Sequence, residues 1–242
     1  MKAIILAAGR GSRMQKLTDD RPKCLVELRG QCLLDRQLAA LRAAGISEIG
    51  IVTGYRRELI AQHVQGQGVA EFHNPRWSET NMVSSLEAAD AWLAAEPCIV
   101  SYSDIFYQPG GVQALMRSTA ALALTYDPHW LRLWQQRFAD PLSDAETFRL
   151  RPDGTLSEIG NKPTSVDQVQ GQYMGLLRFT PQGWAEVGRI RAALPPLVRD
   201  KAHMTGTLQA VIAEGRVPVH AVPYEQEWGE IDSADDLAVY EG

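Results

Sequence analysis

Short apolar runs alternate along the chain with stretches whose apolar residues recur at helical spacing. Residues 2–6, Ile49–Thr53, Cys98–Tyr102 and 121–126 are the short runs. They are too brief for buried helices and are bounded by turn residues, so they read as strands. Residues 33–44 repeat apolar positions three and four apart and stop at Gly45, a helix terminator. Residues 56–64, 82–95 and 111–118 read as further helices, the second capped by Thr80 or Asn81. Residues 70–72 add a short strand. Strand and helix in alternation predict an α/β fold: a Rossmann-like, mostly parallel sheet with helices on both faces.

The rhythm breaks after Tyr126. Residues 127–147 carry Trp130, Trp134, Arg137 and two prolines and match no simple template. Phe148–Leu150 and Leu156–Ile159 flank Pro152-Asp153-Gly154 and predict a hairpin. A strand at 174–179, helices at 183–193 and 205–214, a strand at 217–222 and a helix from Ser233 to residue 240 complete the pattern. There is no repeat, low-complexity segment or linker. A single domain over 1–242 is expected, with residues 127–175 inserted over the sheet's edge.

Composition narrows the function without naming it. The chain has 242 residues, 45% hydrophobic and 22% charged, enough for a proper core. Its net charge of −5 offers no basic surplus for nucleic acid and no polybasic tract for a membrane surface. The apolar stretch at 3–8 is too short for a signal peptide and runs into a Gly/Arg loop. No run approaches the ~18 apolar residues of a membrane span. A cytoplasmic protein is expected, with Cys24, Cys32 and Cys98 as reduced thiols, since they are odd in number and lack metal-ligand spacing. The five histidines are scattered, so no zinc site is expected, and no G-x-S-x-G elbow suggests a hydrolase.

The first chemistry lies directly after the first strand, in Leu6-Ala-Ala-Gly-Arg-Gly-Ser-Arg-Met14. Ligands of open parallel sheets bind beyond the carboxyl ends of the strands. Glycines there let backbone N–H groups approach a base or phosphates closely. Arg13 adds a forked cation, and Lys23 follows behind the stiff Pro22. The loop lacks the G-K-[ST] ending of a Walker A motif. The whole string LAAGRGSRM-x8-PK resembles the signature of nucleotidyltransferases with the GT-A-like fold, which include sugar-1-phosphate nucleotidylyltransferases and phosphocholine cytidylyltransferases. The resemblance implies that Leu6, Ala7, Ala8 and Gly9 line the base and that Gly11, Ser12 and Arg13 hold the triphosphate. Lys23 would bridge phosphates and stabilise the transition state. As a loop lysine it carries little core energy, so its removal is expected to spare folding.

Displacement at the α-phosphorus of an NTP by a phosphate or phosphonate oxygen brings two anions together, so a divalent cation is needed to screen them. Mg2+ prefers carboxylate oxygens and keeps water, so one or two aspartates suffice. Asp104 lies just beyond the strand ending at Tyr102, and Asp232 lies just before the last helix. Both match the positions of the family's metal aspartates, with Glu230 as an additional group. Each taken alone would equally serve as a turn or cap residue.

The acceptor is addressed by the middle of the chain. Sugar-specific members carry a G-G-T or G-T-A-x-A segment where this chain has Asn74-Pro-Arg-Trp-Ser-Glu-Thr-Asn81-Met-Val-Ser-Ser85-Leu. That segment resembles phosphocholine cytidylyltransferases and relatives acting on aminoalkyl phosphonates or phosphorylated amides. The resemblance makes Asn81 and Ser85 nucleotide or acceptor contacts and CTP the co-substrate. Trp130-x3-Trp134-x2-Arg137, Glu146, Glu158-x3-Lys162 and Gly171-Gln-Tyr-Met-Gly175 resemble a narrower branch that activates acceptors such as phosphorylated glutamine for bacterial surface decoration. On that reading Trp130 and Trp134 wall an amine or amide, Arg137 and Lys162 bind the acceptor phosphate, Glu146 or Glu158 pairs with an amine, and Gln172 and Tyr173 face the same cleft. The alternative for the tryptophans is the apolar face of a short packed helix. For the whole chain the alternatives are a sugar-1-phosphate nucleotidylyltransferase and a non-catalytic nucleotide sensor. A sensor would have no need for Arg13, Lys23, Asp104 and Asp232 together.

Overall fold

Seven apolar runs join one sheet in a computed structural model that describes residues 1–11, 14 and 17–241. They are β1 (Lys2–Ala7), β2 (Ile49–Thr53), β3 (Val69–His73), β4 (Cys98–Tyr102), β5 (Leu122–Asp127), β6 (Gln172–Phe179) and β7 (Val219–Pro223). The order across the sheet is β3-β2-β1-β4-β6-β5-β7. All strands run parallel except β6, which is antiparallel to both its neighbours. Successive residues of a strand face opposite sides. Ile4 and Ile5 are both fully buried, so both faces of the sheet are covered. That is why β1 reads as a continuous apolar run rather than an alternating one.

The strand order reverses at β1, where Leu6 lies between Val52 of β2 and Tyr102 of β4. Such a switch point leaves a crevice beyond the strand ends. The Gly-rich loop enters it from β1, and the Ser103-Asp104 turn enters from β4.

Several elements differ from expectation. Residues 82–95 do not form one helix. The helix Met82–Leu86 tightens through a 3-10 turn at Glu87–Ala89 and resumes as Asp90–Ala95. The break is pinned from the helix Pro181–Ala192, because Arg191 donates to Glu87 and Trp184 donates to Asp90 at 2.7 Å. Residues 127–147 contain the helix Trp130–Arg137, and a helix at Pro196–Lys201 was not foreseen. The hairpin of Phe148–Leu150 and Leu156–Ile159 forms as predicted. It abuts the outer edge strand β7 through Thr155 and His220. Its buried residues Phe148, Leu156 and Ile159 belong to the same apolar cluster as the central strands. Among the described residues no helix is long and apolar enough to cross a membrane.

A smaller apolar cluster of Met14, Val26, Leu28, Leu33, Phe106, Ile231 and Tyr240 joins the two ends of the chain. Beside it, Ile105–Tyr107 pairs antiparallel with Trp228–Glu230, and the Ile231 N–H donates to the Asp104 carbonyl at 2.9 Å. This ribbon sets Asp104 and Asp232 side by side.

Candidate active site

Lys23 stands at the centre of the crevice. Its ammonium donates to Asp104 Oδ2 at 2.8 Å and to Asp232 Oδ1 at 2.5 Å. The short turn Lys23–Leu25, entered from Pro22, points the side chain inward, and only 7% of the residue is exposed. Gly11 has a φ of +69°, and a Cβ there would come within 2.9 Å of the Lys23 stem. The loop glycine thus provides both the left-handed turn and the room for the lysine. Burial works against the ammonium's charge, but Asp104, Asp232 and Glu230 outweigh it and hold the pKa above its ordinary value. The expectation that removing Lys23 spares folding is therefore corrected, because the lysine is buried and supplies positive charge to an acid cluster.

Among the described residues that cluster has three members. Carboxylate oxygens of Asp104, Glu230 and Asp232 all lie within 4.8 Å of one another. Asp104 Oδ1 is buried without a hydrogen-bond partner. An all-oxygen set with one such free ligand atom fits a hard divalent cation. Glu230 is pushed up to about 8 by burial and by the charges of Asp232 and Asp104. Its unfolded value of 4.5 is lower, so between about pH 4.5 and 8 the folded chain holds the extra proton. Stability from this group is then complete below pH 4.5 and lost as pH rises towards 8. Glu230→Gln should remove that slope. In metal-free thermal melts, the variant's advantage over wild type should grow from pH 5 to pH 8. A constant difference across that range would overturn the assignment.

Two clefts meet at the cluster. The first, of about 300 Å³, is lined by Leu6, Ala8, Gly9 and Gly11 with Lys23, Asn81, Ser85, Tyr102 and Asp104. Ala7 is buried and does not line it. Ser12 and Arg13 lie outside the described residues. Asn81 caps the helix Met82–Leu86 by accepting from the Met82 N–H at 2.7 Å, so it serves as cap and cleft wall at once. Ser85 Oγ accepts from the buried Asn74 side chain at 2.9 Å. The second cleft, of about 220 Å³, is lined by Glu146, Gln172, Tyr173, His203, Thr205 and Asp232, among others. Burial raises the Glu146 pKa against the opposing effects of Thr205 and His203. Tyr102 and Met82 border both clefts. Tyr102 can lie there because Gly175, at a φ of +81°, sits where a Cβ would come within 2.8 Å of its ring.

Three expected acceptor contacts lie elsewhere. Trp134 is wholly buried, with its indole N–H on Asp144 at 3.1 Å. It presents no face to a ligand, and the aromatic wall gives way to core packing shared with Trp130 and Trp228. Trp134→Ala should lower unfolding free energy by about 3–5 kcal/mol in denaturant titrations, while Trp134→Phe should keep an unchanged acceptor KM. A raised KM in Trp134→Phe would restore the wall. The Arg137 side chain is fully buried and stacks 4.8 Å from the Trp134 ring. It donates to Asp236 at 2.8 Å and to Glu230 at 3.3 Å. Asp236 Oδ2 in turn accepts from the Asp232 and Ser233 N–H groups. Arg137 therefore positions the acid cluster and lines neither cleft. Lys162 lines neither cleft. Its ammonium donates to the carbonyls of Leu142 and Ser143 at 2.5 and 2.6 Å, holding the turn that leads to Asp144 and Glu146.

Sequence reasoning overlooked Trp77, Thr80, Met82 and Tyr102 in the first cleft and Asp144 and His203 in the second. Tyr102 had a usable signal, since it ends a central strand two residues before Asp104. His203 had none, because only the tertiary fold brings it to Glu146.

Comparison with known proteins agrees with this geometry. The MobA-like NTP transferase domain matches residues 3–154. The chain is 36% identical to the CTP:phosphoglutamine cytidylyltransferase of Campylobacter jejuni subsp. jejuni, over 99% of this chain and 98% of that one. It is also 36% identical to the 2-aminoethylphosphonate cytidylyltransferase of Lancefieldella rimae, over 99% and 91% of the two chains. The fold is shared with CTP:phosphocholine cytidylyltransferase from Streptococcus pneumoniae, at a TM-score of 0.75 and 22% identity over 99% and 97% of the two chains. The chain belongs to the MobA-like NTP transferase family and is a nucleotidyltransferase.

Proposed function

We propose that the chain transfers CMP from CTP to a small phosphorylated or phosphonate acceptor bearing an amine or amide, releasing pyrophosphate. The observation that carries this reading is the meeting of two clefts at one lysine and three carboxylates. The glycine-lined cleft suits the nucleotide. The smaller cleft, walled by Glu146, Gln172, Tyr173 and His203, suits a polar acceptor. The full-length relatives named for phosphoglutamine and 2-aminoethylphosphonate support a nitrogen-bearing acceptor and CTP as donor.

An acceptor oxygen attacks the α-phosphorus and forms a P–O–P link. The bond from that phosphorus to its bridging oxygen breaks, and the electron pair leaves on pyrophosphate. The attacking oxygen is already anionic, so the protein's task is to align and screen two anions rather than to remove a proton. Asp104 and Asp232, flanked by Glu230, would hold Mg2+, which supplies charge neutralisation at the phosphates. Lys23 supplies a second positive charge at the junction of the clefts. Glu146 would pair with the acceptor's nitrogen.

Pyrophosphate release measured with four NTPs against phosphocholine, 2-aminoethylphosphonate, phosphoglutamine and hexose 1-phosphates tests the proposal. Release is expected with CTP and a nitrogen-bearing acceptor. Preference for a hexose 1-phosphate, or no release with any pair, overturns it.

A further inference from the structure

Away from the clefts, the fold gathers a thiol, an imidazole and a carboxylate. Cys32 Sγ lies 3.6 Å from Nε2 of His63, and the same nitrogen lies 2.8 Å from Asp35 Oδ1. All three donor atoms lie within 4.8 Å of one another. Two helices create the grouping. Cys32 caps the helix Leu33–Ala43, its sulfur accepting from the Asp35 N–H one turn on. His63 is the last residue of the helix Arg57–His63. The spacing of 28 and 31 residues between His63 and its two partners is why no ligand pattern shows in the sequence.

We propose that Cys32, Asp35 and His63 form a second metal site, for a soft or borderline divalent ion of the zinc class. A nucleophile triad would use the two imidazole nitrogens separately, one for the thiol and one for the carboxylate. Here both partners converge on Nε2, so the three donors surround a common point instead of forming a relay. Tetrahedral zinc with bonds of about 2.0–2.3 Å separates its donors by roughly 3.3–3.8 Å. The sulfur–imidazole separation already falls in that range. The Asp35–His63 contact must open by about 0.5–1 Å to reach it, which two side chains each about one third exposed can do. His63 also borders a cavity of about 530 Å³ lined by Asp20, Arg21, Leu25, Glu27 and Gln62. Thiolate and imidazole select zinc-class ions, whereas the oxygen-only cluster between the clefts selects hard ones. The two sites therefore separate by chemistry. An ion here would tie the two helices together at the foot of the Glu27–Leu28 and Gln31–Cys32 ribbon, which follows the turn carrying Lys23.

Titrating the metal-free, untagged protein with Co2+ tests the proposal independently of catalysis. A thiolate-to-cobalt charge-transfer band should saturate at one equivalent, persist in excess Mg2+ and disappear on adding Zn2+. Cys32→Ser should abolish the band, and His63→Gln should weaken Co2+ binding at least tenfold. Asp232→Asn should leave it intact. His63 is partly exposed, so its variant reports on the site even if Cys32→Ser folds poorly. Absence of the band in folded wild type overturns the site. Survival of the band in both Cys32→Ser and His63→Gln places the ion on another thiol and overturns it equally.

Discussion

Lys23→Ala should lower kcat by about 10²–10³-fold, the size of effect seen when one preorganised donor to a developing charge is removed. Among the described residues the lysine donates to two of the three carboxylates that meet between the clefts. Its loss should also be felt in folding. Breaking a buried charge pair by deleting one partner typically costs about 3–5 kcal/mol, and here two aspartates lose the same ammonium. Metal-free Lys23→Ala should therefore melt well below wild type, and Mg2+ should recover part of the difference by restoring positive charge. Steady-state kinetics at saturating Mg2+, paired with melts with and without the ion, separate the two effects. A variant with wild-type kcat would remove Lys23 from the reaction. A variant melting at the wild-type temperature without metal would contradict its role as counter-charge.

Asp232→Asn is expected to raise the Mg2+ concentration for half-maximal activity by about 10–100-fold or more. Changing groups that merely orient a metal ligand already costs that much, and on the proposed reading Asp232 would offer an oxygen to the ion itself. The substitution preserves shape. The backbone N–H of residue 232 keeps its bond to Asp236, so the local fold should survive. Asp104→Asn should shift the midpoint in the same direction, since Asp104 Oδ1 is the buried oxygen left without a partner. An unchanged Mg2+ titration for Asp232→Asn would take that residue out of the metal site.

The glycine-lined cleft is legible in the sequence because it is local. A strand, a glycine turn and a lysine behind proline lie within 23 residues, and each constrains the next. Asp104 follows a readable strand end in the same way. The second cleft is less legible because burial decides its lining. Trp134 and Arg137 have residue types suited to a ligand, yet the helix Trp130–Arg137 turns both inward against Trp228 and Asp236. Lys162 is exposed, but it finds two carbonyls across the loop. The single helix expected over 82–95 breaks because bonds from a helix a hundred residues later hold its middle. None of these partners is a sequence neighbour, so periodicity has no access to them.

The antiparallel strand β6 has a consequence for how the protein comes into being. It lies between β4 and β5, both of which leave the ribosome before it. Those earlier strands must wait, with edges unpaired, through the 127–171 excursion before the sheet can close. Such non-local pairing slows folding and exposes strand edges to wrong partners. The acid cluster is later still. Lys23 meets Asp232 across 209 residues, after every strand of the sheet. A nascent chain can therefore build the glycine loop and most of the sheet while its reaction centre remains incomplete. The sheet can thus be largely in place before the lysine it carries meets its second carboxylate.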